Sequence, residues 1–291
     1  GSEMCIRDRS ILKSEKKLLG IIKEELLELK KKYADERRTE IVAEIGEVKI
    51  EDLIAEEDVV ITISHTGYIK RLPVSAYRRQ KRGGKGIVGT DLKEEDFVEH
   101  LFIASTHDQM LFFTDKGKAY WVKVHEIPQA GRASKGKAIV NLLQMEKGEN
   151  ITAFVPVRSF EEEAFLVMAT EKGIVKRIEL SAFSNPRKAG IIAISLDKDD
   201  KLESVKMTDG KQDIILATRE GKALKFKETD VRCMGRSAKG VKGMSLGKKD
   251  TIISMEIAAP ESTILTVTEK GFGKRTPVSE YRDQRRGGKG I

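Results

Sequence analysis

The chain has 291 residues, 39% of them apolar and 34% charged, with a formal net charge of +8; that is enough apolar material for one large domain, with or without an extension. Aromatic residues, at 5%, argue against base stacking as a binding mode. Two cysteines, Cys5 and Cys233, at no ligand spacing argue against a metal centre or a disulfide framework, and no apolar run approaches the length of a membrane span. The modest basic excess points toward a polyanionic partner, and the thiol usage toward a reducing cytoplasm.

Gly1 to Arg9 carry no signal-peptide core and match neither pattern that follows, so residues 1–9 read as a scar or artefact outside the fold. Residues 11–34 read as a helix. Leu19, Ile22, Leu26, Leu29 and Tyr33 recur in steps of three and four, the spacing of a coiled-coil seam. An amphipathic helix lying on a globular core fits that stretch equally well. Asp35 to Thr39 is charged and ends the periodicity, and from about Ile41 the pattern changes to short β-like runs. The expected division is therefore 10–40, helix and linker, and 41–291, a β domain.

The β region repeats. Segments 61–71, 111–121, 166–177, 214–225 and 265–275 each give an apolar β-rich run, a polar turn with glycine, and a second run carrying lysine, the signature of a hairpin. The turn glycines are Gly67, Gly117, Gly173, Gly221 and Gly271, at spacings of 50, 56, 48 and 50 residues. A second glycine follows each: Gly86, Gly136, Gly190, Gly240 and Gly290, at an offset of 19 residues in four repeats and 17 in the third. Such a position implies positive φ or a close backbone approach. A period near 50, with about four short strands per unit, matches propeller blades better than a solenoid.

Charge follows the same phase. The five windows between paired glycines together carry +21 over 98 residues. Residues 46–291 as a whole carry +7, so the remainder of that span carries −14. Five basic runs in register against an acidic remainder are hard to read as ordinary solvated loops. In a ring of blades they form a belt, a surface suited to a bent polyanion. Bending duplex DNA sharply costs on the order of 1–6 kcal/mol, and counterion release at each phosphate contact offsets part of that cost.

The first and fifth windows are distinctive. The first runs Tyr77, Arg78, Arg79 and then Gln80-Lys81-Arg82-Gly83-Gly84-Lys85-Gly86; the fifth runs from Tyr281 to Gln284-Arg285-Arg286-Gly287-Gly288-Lys289-Gly290. Paired glycines let backbone N–H groups approach a phosphate, and flanking Arg and Lys supply charge. Contacts of this kind position DNA without reading its sequence. Residues 80–86 closely resemble, with Lys81 in place of one arginine, the box motif QRRGGKG of the C-terminal domain of the A subunit of bacterial DNA gyrase; Gln284 to Gly290 match it letter for letter. The resemblance covers nearly the whole chain from Ser10, with Ser14 to Ile41 similar to the end of that subunit's coiled-coil arm.

The resemblance implies a mainly β fold, a β-pinwheel. This is a propeller-like ring, normally of six four-stranded blades that exchange strands; about five are represented here, the last incomplete, behind an N-terminal helix from a coiled coil. It implies binding, bending and wrapping of duplex DNA without sequence specificity. That activity enables ATP-dependent negative supercoiling by a type II topoisomerase in the cytoplasm, where the partners are a second copy of the same subunit and the gyrase B subunit. Gln80, Lys81, Arg82, Gly83, Gly84, Lys85 and Gly86 are the first candidates for DNA contact, with Arg78 and Arg79. Equivalent basic residues follow: Arg132, Lys135, Arg187, Lys188, Arg236, Lys239, Arg285, Arg286 and Lys289. No catalytic residue, metal or cofactor is expected in this segment; ATP and magnesium belong to the holoenzyme.

Two alternatives stand beside this reading: the C-terminal domain of the corresponding topoisomerase IV subunit, and a propeller that binds only proteins. Other motifs carry less. Gly131 to Ala138 nearly spells a P-loop but lacks the final Ser/Thr and a following helix. His65, His100, His107 and His125 have no ligand spacing. Trp121 reads as packing, and Cys233 as a filler with no paired base.

Overall fold

The computed structural model describes residues 2–35, 38–39, 53–76, 96–131, 134–161 and 163–291, in two units, Gly1–Lys49 and Ile50–Ile291. In the first unit the single helix expected over 11–34 is two, α1 (Ser2–Leu12) and α2 (Glu15–Tyr33). They part at Ser14, whose extended backbone caps α2 while its carbonyl accepts from the amides of Lys17 and Leu18 at 3.0 Å each. Residues set aside in the sequence as a scar are thus helical within α1. Straight-chain Glu, Lys and Leu favour α2, and Lys30, Lys31 and Lys32 complement its C-terminal dipole. No side chain of α2 is buried, and the seam residues Leu19, Ile22, Leu26, Leu29 and Tyr33 are exposed.

The second unit is built from the five hairpins. They are β1 (Asp58–Ser64) with β2 (Tyr68–Pro73), β4 (Gln109–Thr114) with β5 (Lys118–Lys123), β8 (Phe165–Thr170) with β9 (Ile174–Glu179), β12 (Asp213–Thr218) with β13 (Ala223–Lys227), and β16 (Thr263–Val267) with β17 (Gly273–Pro277). Each turns at its expected glycine, with φ between 74° and 82°. A third strand pairs with the first strand of each of the first four hairpins: β3 (Val98–Ser105), β7 (Ile151–Val157), β11 (Leu202–Thr208) and β15 (Ile252–Ile257). The register breaks near the end of every such pairing, as at Ile63/Ser64 and Phe113/Thr114. Just before the third strand, Asp96, Asp200 and Asp250 each accept a turn amide, from Thr66, Lys172 and Glu220, at 3.0 Å.

The fourth strand of each sheet comes from the next repeat. Two-residue strands β6 (Lys137–Ala138), β10 (Ile191–Ile192) and β14 (Val241–Lys242) pair with β2, β5 and β9. Ile291 makes the matching reciprocal bonds to Ala223 on β13, at 2.8 and 2.9 Å. The sheet orders are β3-β1-β2-β6, β10-β5-β4-β7 and β11-β8-β9-β14, followed by β13-β12-β15 and the pair β16-β17. This is a mainly antiparallel, propeller-like fold whose blades exchange strands.

The core lies between successive sheets. Met110 and Phe112 pack toward the β1 sheet with Val59, Ile61 and Ile69, while the alternating Leu111 and Phe113 pack toward the β8 sheet with Leu166 and Met168. Val167 and Ala169 then face Ile214 and Leu216. Strands buried on both faces need unbroken apolar runs, which is why 110–113 and 166–169 show little polar alternation. Full burial stabilises each such side chain by about 1.5–3 kcal/mol.

Candidate nucleic-acid interface

Each hairpin's second strand ends in a short 3-10 turn, such as Val124–Glu126 after β5 and Glu228–Asp230 after β13. The chain then runs on as the basic loop to the second glycine. In the second to fifth repeats that loop does not lie on its own hairpin. It lies along the second strand of the preceding one, through parallel bridges of Arg71 with Gln129, Arg177 with Cys233 and Lys225 with Asp283. The glycine closing the loop is required twice over. Gly240 has φ 101°, and a Cβ there would stand 2.6 Å from the Val175 carbonyl oxygen; Gly136, Gly190 and Gly290 are seated in the same way on β2, β5 and β13.

This seating puts four loops at equivalent sites. In each four-stranded sheet the third strand holds one edge and the exchanged strand, which continues the loop, holds the other. The third strands of successive sheets meet, β7 with β11 and β11 with β15. The loops therefore lie at the edge away from that meeting line. Arg187, Lys188, Arg236, Lys239, Arg285 and Lys289 are exposed there, and Lys135 and Arg286 are half-buried. Arg187 and Arg236, from neighbouring loops, line one cleft of about 460 Å³ together with Gly190, Ile191, Ile192 and Ser237.

Not all of these cations are equally available. Arg286 donates to the carbonyls of Asp230 at 2.8 Å and Lys242 at 3.1 Å. The ammonium of Lys239 is paired with Asp197, and that of Lys135 stands 5.6 Å from the Tyr68 ring centroid. Exposed pairs of this kind contribute about 0–1 kcal/mol, so exchanging Asp197 for a phosphate costs little. Arg78, Arg79, Gln80, Lys81, Arg82, Gly83, Gly84, Lys85, Gly86 and Arg132 lie outside the described residues.

The charge count missed a division of labour. Lys70 on β2 and Lys176 on β9 are fully buried and hydrogen-bonded to backbone carbonyls. Arg71 donates to the carbonyls of Ile127 at 2.7 Å and His125 at 3.3 Å. Arg177 lies over the Phe165 ring at 5.1 Å, and Lys225 pairs with Asp283 at 2.9 Å. Lys70, Arg71, Lys176, Arg177 and Lys225 on the second strands thus hold the scaffold, whereas Arg187, Lys188, Arg236, Lys239, Arg285 and Lys289 on the loops face solvent. The signal was in the sequence: lysine stands three residues after the turn glycine at Lys70, Lys176 and Lys274. Tyr120 occupies that register in the second repeat. Its hydroxyl donates to Glu149 at 2.7 Å, and burial, with Glu149 beside it, holds the phenol well above its ordinary range.

Of the residues set aside, Trp121 and His107 are half-buried and hydrogen-bonded, whereas His65 and Cys233 are exposed, so Cys233 does not fill the core. Trp121 donates through Nε1 to the Phe183 carbonyl at 2.9 Å. His107 Nε2 lies 2.8 Å from the Ile54 carbonyl oxygen, and His65 stacks on Phe97. Among the described residues no group of three or more metal-ligating side chains occurs, and no helix is long and apolar enough to cross a membrane.

Comparison with known proteins places this arrangement. A family model described as the DNA gyrase C-terminal domain, beta-propeller, matches residues 58–105, 108–158, 164–209, 212–259 and 262–291. The chain is 52% identical over 283 residues to the DNA gyrase A subunit of Clostridium acetobutylicum, and 44% identical over 309 to that of Haemophilus influenzae. It is covered to 97% in both comparisons. It spans about a third of the length of these relatives, 34% and 35%. Among solved structures, a C-terminal domain of DNA topoisomerase IV superposes with a TM-score of 0.68 at 30% identity, over 82% of this chain and 73% of that one. A DNA gyrase A C-terminal domain superposes with 0.67 at 28%, over 81% and 76%.

Proposed function

The chain belongs to the DNA gyrase C-terminal, β-propeller family, and on that premise we propose that it binds, bends and wraps duplex DNA without sequence specificity. One observation carries the proposal: four basic loops occupy the same site on four successive sheets, at the edge away from the line where the third strands meet. A rigid series of equivalent cationic sites favours a path that touches them all. The bending cost, on the order of 1–6 kcal/mol, is then shared among many phosphate contacts. In the full-length protein the wrapped segment serves ATP-dependent negative supercoiling in the cytoplasm, by an assembly of two gyrase A chains with gyrase B. ATP, magnesium and strand cleavage belong to the rest of that assembly.

The test is salt dependence. With the eight described loop cations each at a phosphate, log K falls against log[salt] with a slope near −7. The box cations Lys81, Arg82 and Lys85 steepen the wild-type slope beyond that value, and alanine at all three removes their share. A slope near zero, or no change in the triple variant, refutes a phosphate-led belt or the box's place in it.

The likeness to a topoisomerase IV domain favours one second reading, the corresponding subunit of that enzyme. The near-complete box at 80–86 favours the gyrase type. Full-length enzyme carrying this segment supercoils relaxed plasmid under the first reading and only decatenates under the second.

A further inference from the structure

We infer that Lys70 and Lys176 are positioning residues, which hold the basic loop of the following repeat in a phosphate-accepting shape and touch no phosphate themselves. The inference rests on the DNA-binding reading and deepens it. Lys176 rises from β9 with no exposed surface, and its ammonium donates to the carbonyls of Ala193 at 2.7 Å, Arg236 at 2.6 Å and Ala238 at 3.1 Å. An ammonium has three donors, and all three are used. Lys70, equally buried on β2, donates to the carbonyls of Ser134 at 2.7 Å and Gly131 at 3.3 Å. Both lysines reach across the exchange, from one repeat's hairpin into the next repeat's loop.

The staple fixes which way the loop peptides face. In a trans peptide the carbonyl and the next residue's N–H point in opposite directions, and the described residues contain no cis peptide. Turning the carbonyls of Arg236 and Ala238 inward therefore turns the amides of Ser237 and Lys239 outward. Neither amide donates to another group among the described residues. The exposed side chains of Arg236 and Lys239 flank them. Outward N–H groups between two cations form a cradle for a phosphate. In the second repeat's loop, the inward carbonyl of Ser134 sets the amide of Lys135 in the same way.

Other loops use other fastenings. Tyr120 fills the lysine register beneath Gly190, and the fifth loop is held by Lys225 with Asp283 and by the Gln284 amide on the Lys225 carbonyl. Burial beneath a loop whose carbonyls accept the ammonium's hydrogens is the pattern of a staple rather than of a surface ligand. Burial, then the nearby Arg236 charge, lowers Lys176 to about 8, so the ammonium is still mostly protonated at neutral pH.

The experiment is a mutant cycle read by binding of the 291-residue chain to a labelled random-sequence duplex, with thermal melts as the check on folding. Lys176→Met is expected to fold and to weaken binding about tenfold. Added to Arg236→Ala/Lys239→Ala it weakens binding by no more than about twofold further, because it acts through that loop. Losses that multiply, or a folded Lys176→Met that binds like wild type, overturn the inference. If that variant does not fold, side-chain ammonium NMR of wild type decides. The Lys176 and Lys70 signals stay in place on adding duplex while those of Lys239 and Lys289 move; a Lys176 shift as large as that of Lys239 overturns it. Wild-type chain that fails to bind duplex removes the DNA reading itself, whereas wild-type binding with an indifferent Lys176→Met removes only the staple.

Discussion

Replacing Gly240 and Gly221 separately by alanine isolates the effect of loop seating from that of backbone strain. Both have positive φ, 101° and 82°, so each alanine incurs strain of roughly 1–2 kcal/mol. Their surroundings differ. A methyl at Gly221 meets nothing within 4 Å, whereas one at Gly240 meets the Val175 carbonyl oxygen at 2.6 Å and Ile174 Cγ2 at 2.8 Å. An ordinary carbon–oxygen contact is about 3.3–3.6 Å, so the loop must withdraw by roughly 0.7–1 Å. That stretches the Lys176 bonds, at 2.6 and 3.1 Å, to or beyond hydrogen-bond range. Arg236 and Lys239 move with the loop. Fluorescence anisotropy on a random-sequence duplex at several salt concentrations reads the outcome. Gly221→Ala is expected to bind like wild type. Gly240→Ala is expected to lose about tenfold in affinity and nearly two units of salt slope, the share of two phosphate contacts. Equal binding by the two variants refutes the claim that seating on the preceding hairpin organises the loop.

Two further outcomes follow from the interior. Phe113 is fully buried between the β4 and β8 sheets and meets Phe183 edge-on at 5.9 Å; Phe113→Ala costs about 3–5 kcal/mol, measured by urea unfolding, and a loss under 1 kcal/mol contradicts that packing. Lys176 makes stability depend on pH. Its folded value, about 8, lies below the ordinary 10.5, so between those limits the unfolded chain holds a proton that the folded chain has released. Stability therefore rises from pH 8 to 10.5, by about 3 kcal/mol in total, and the gain is lost again as pH falls through 8. Lys176→Met removes this slope. The comparison is made in a Cys233→Ala background so that the neighbouring thiol is absent, and parallel curves for the two chains refute the burial of a charge there.

The hairpins and their turn glycines were legible because an apolar run, a glycine turn and a second run constrain one another locally. The second glycines were legible as special positions, but not what they press against. Their neighbours, such as the Val175 carbonyl for Gly240, belong to a different repeat. The exchanged strands β6, β10 and β14 are two residues long, too short for any periodicity to show. The buried lysines were hidden by the charge count that motivates the proposed belt, since a formal charge carries no information about burial. The helix before Ser14 was also obscured, because most of α1 (Ser2–Leu12) falls in a stretch with no apolar periodicity, and a single extended residue leaves no mark in the sequence. Arg286 and Lys289 look alike in the sequence, yet one is tied to two carbonyls and the other is exposed.

The central claim is that equivalent loops on successive blades bend DNA around the domain. End-to-end energy transfer on a duplex labelled at both termini tests it most directly. The expected result is that the wild-type chain draws the ends together, and that alanine at Arg187, Arg236, Arg285 and Lys289 together abolishes the approach. Tight binding with the end-to-end distance unchanged would contradict wrapping.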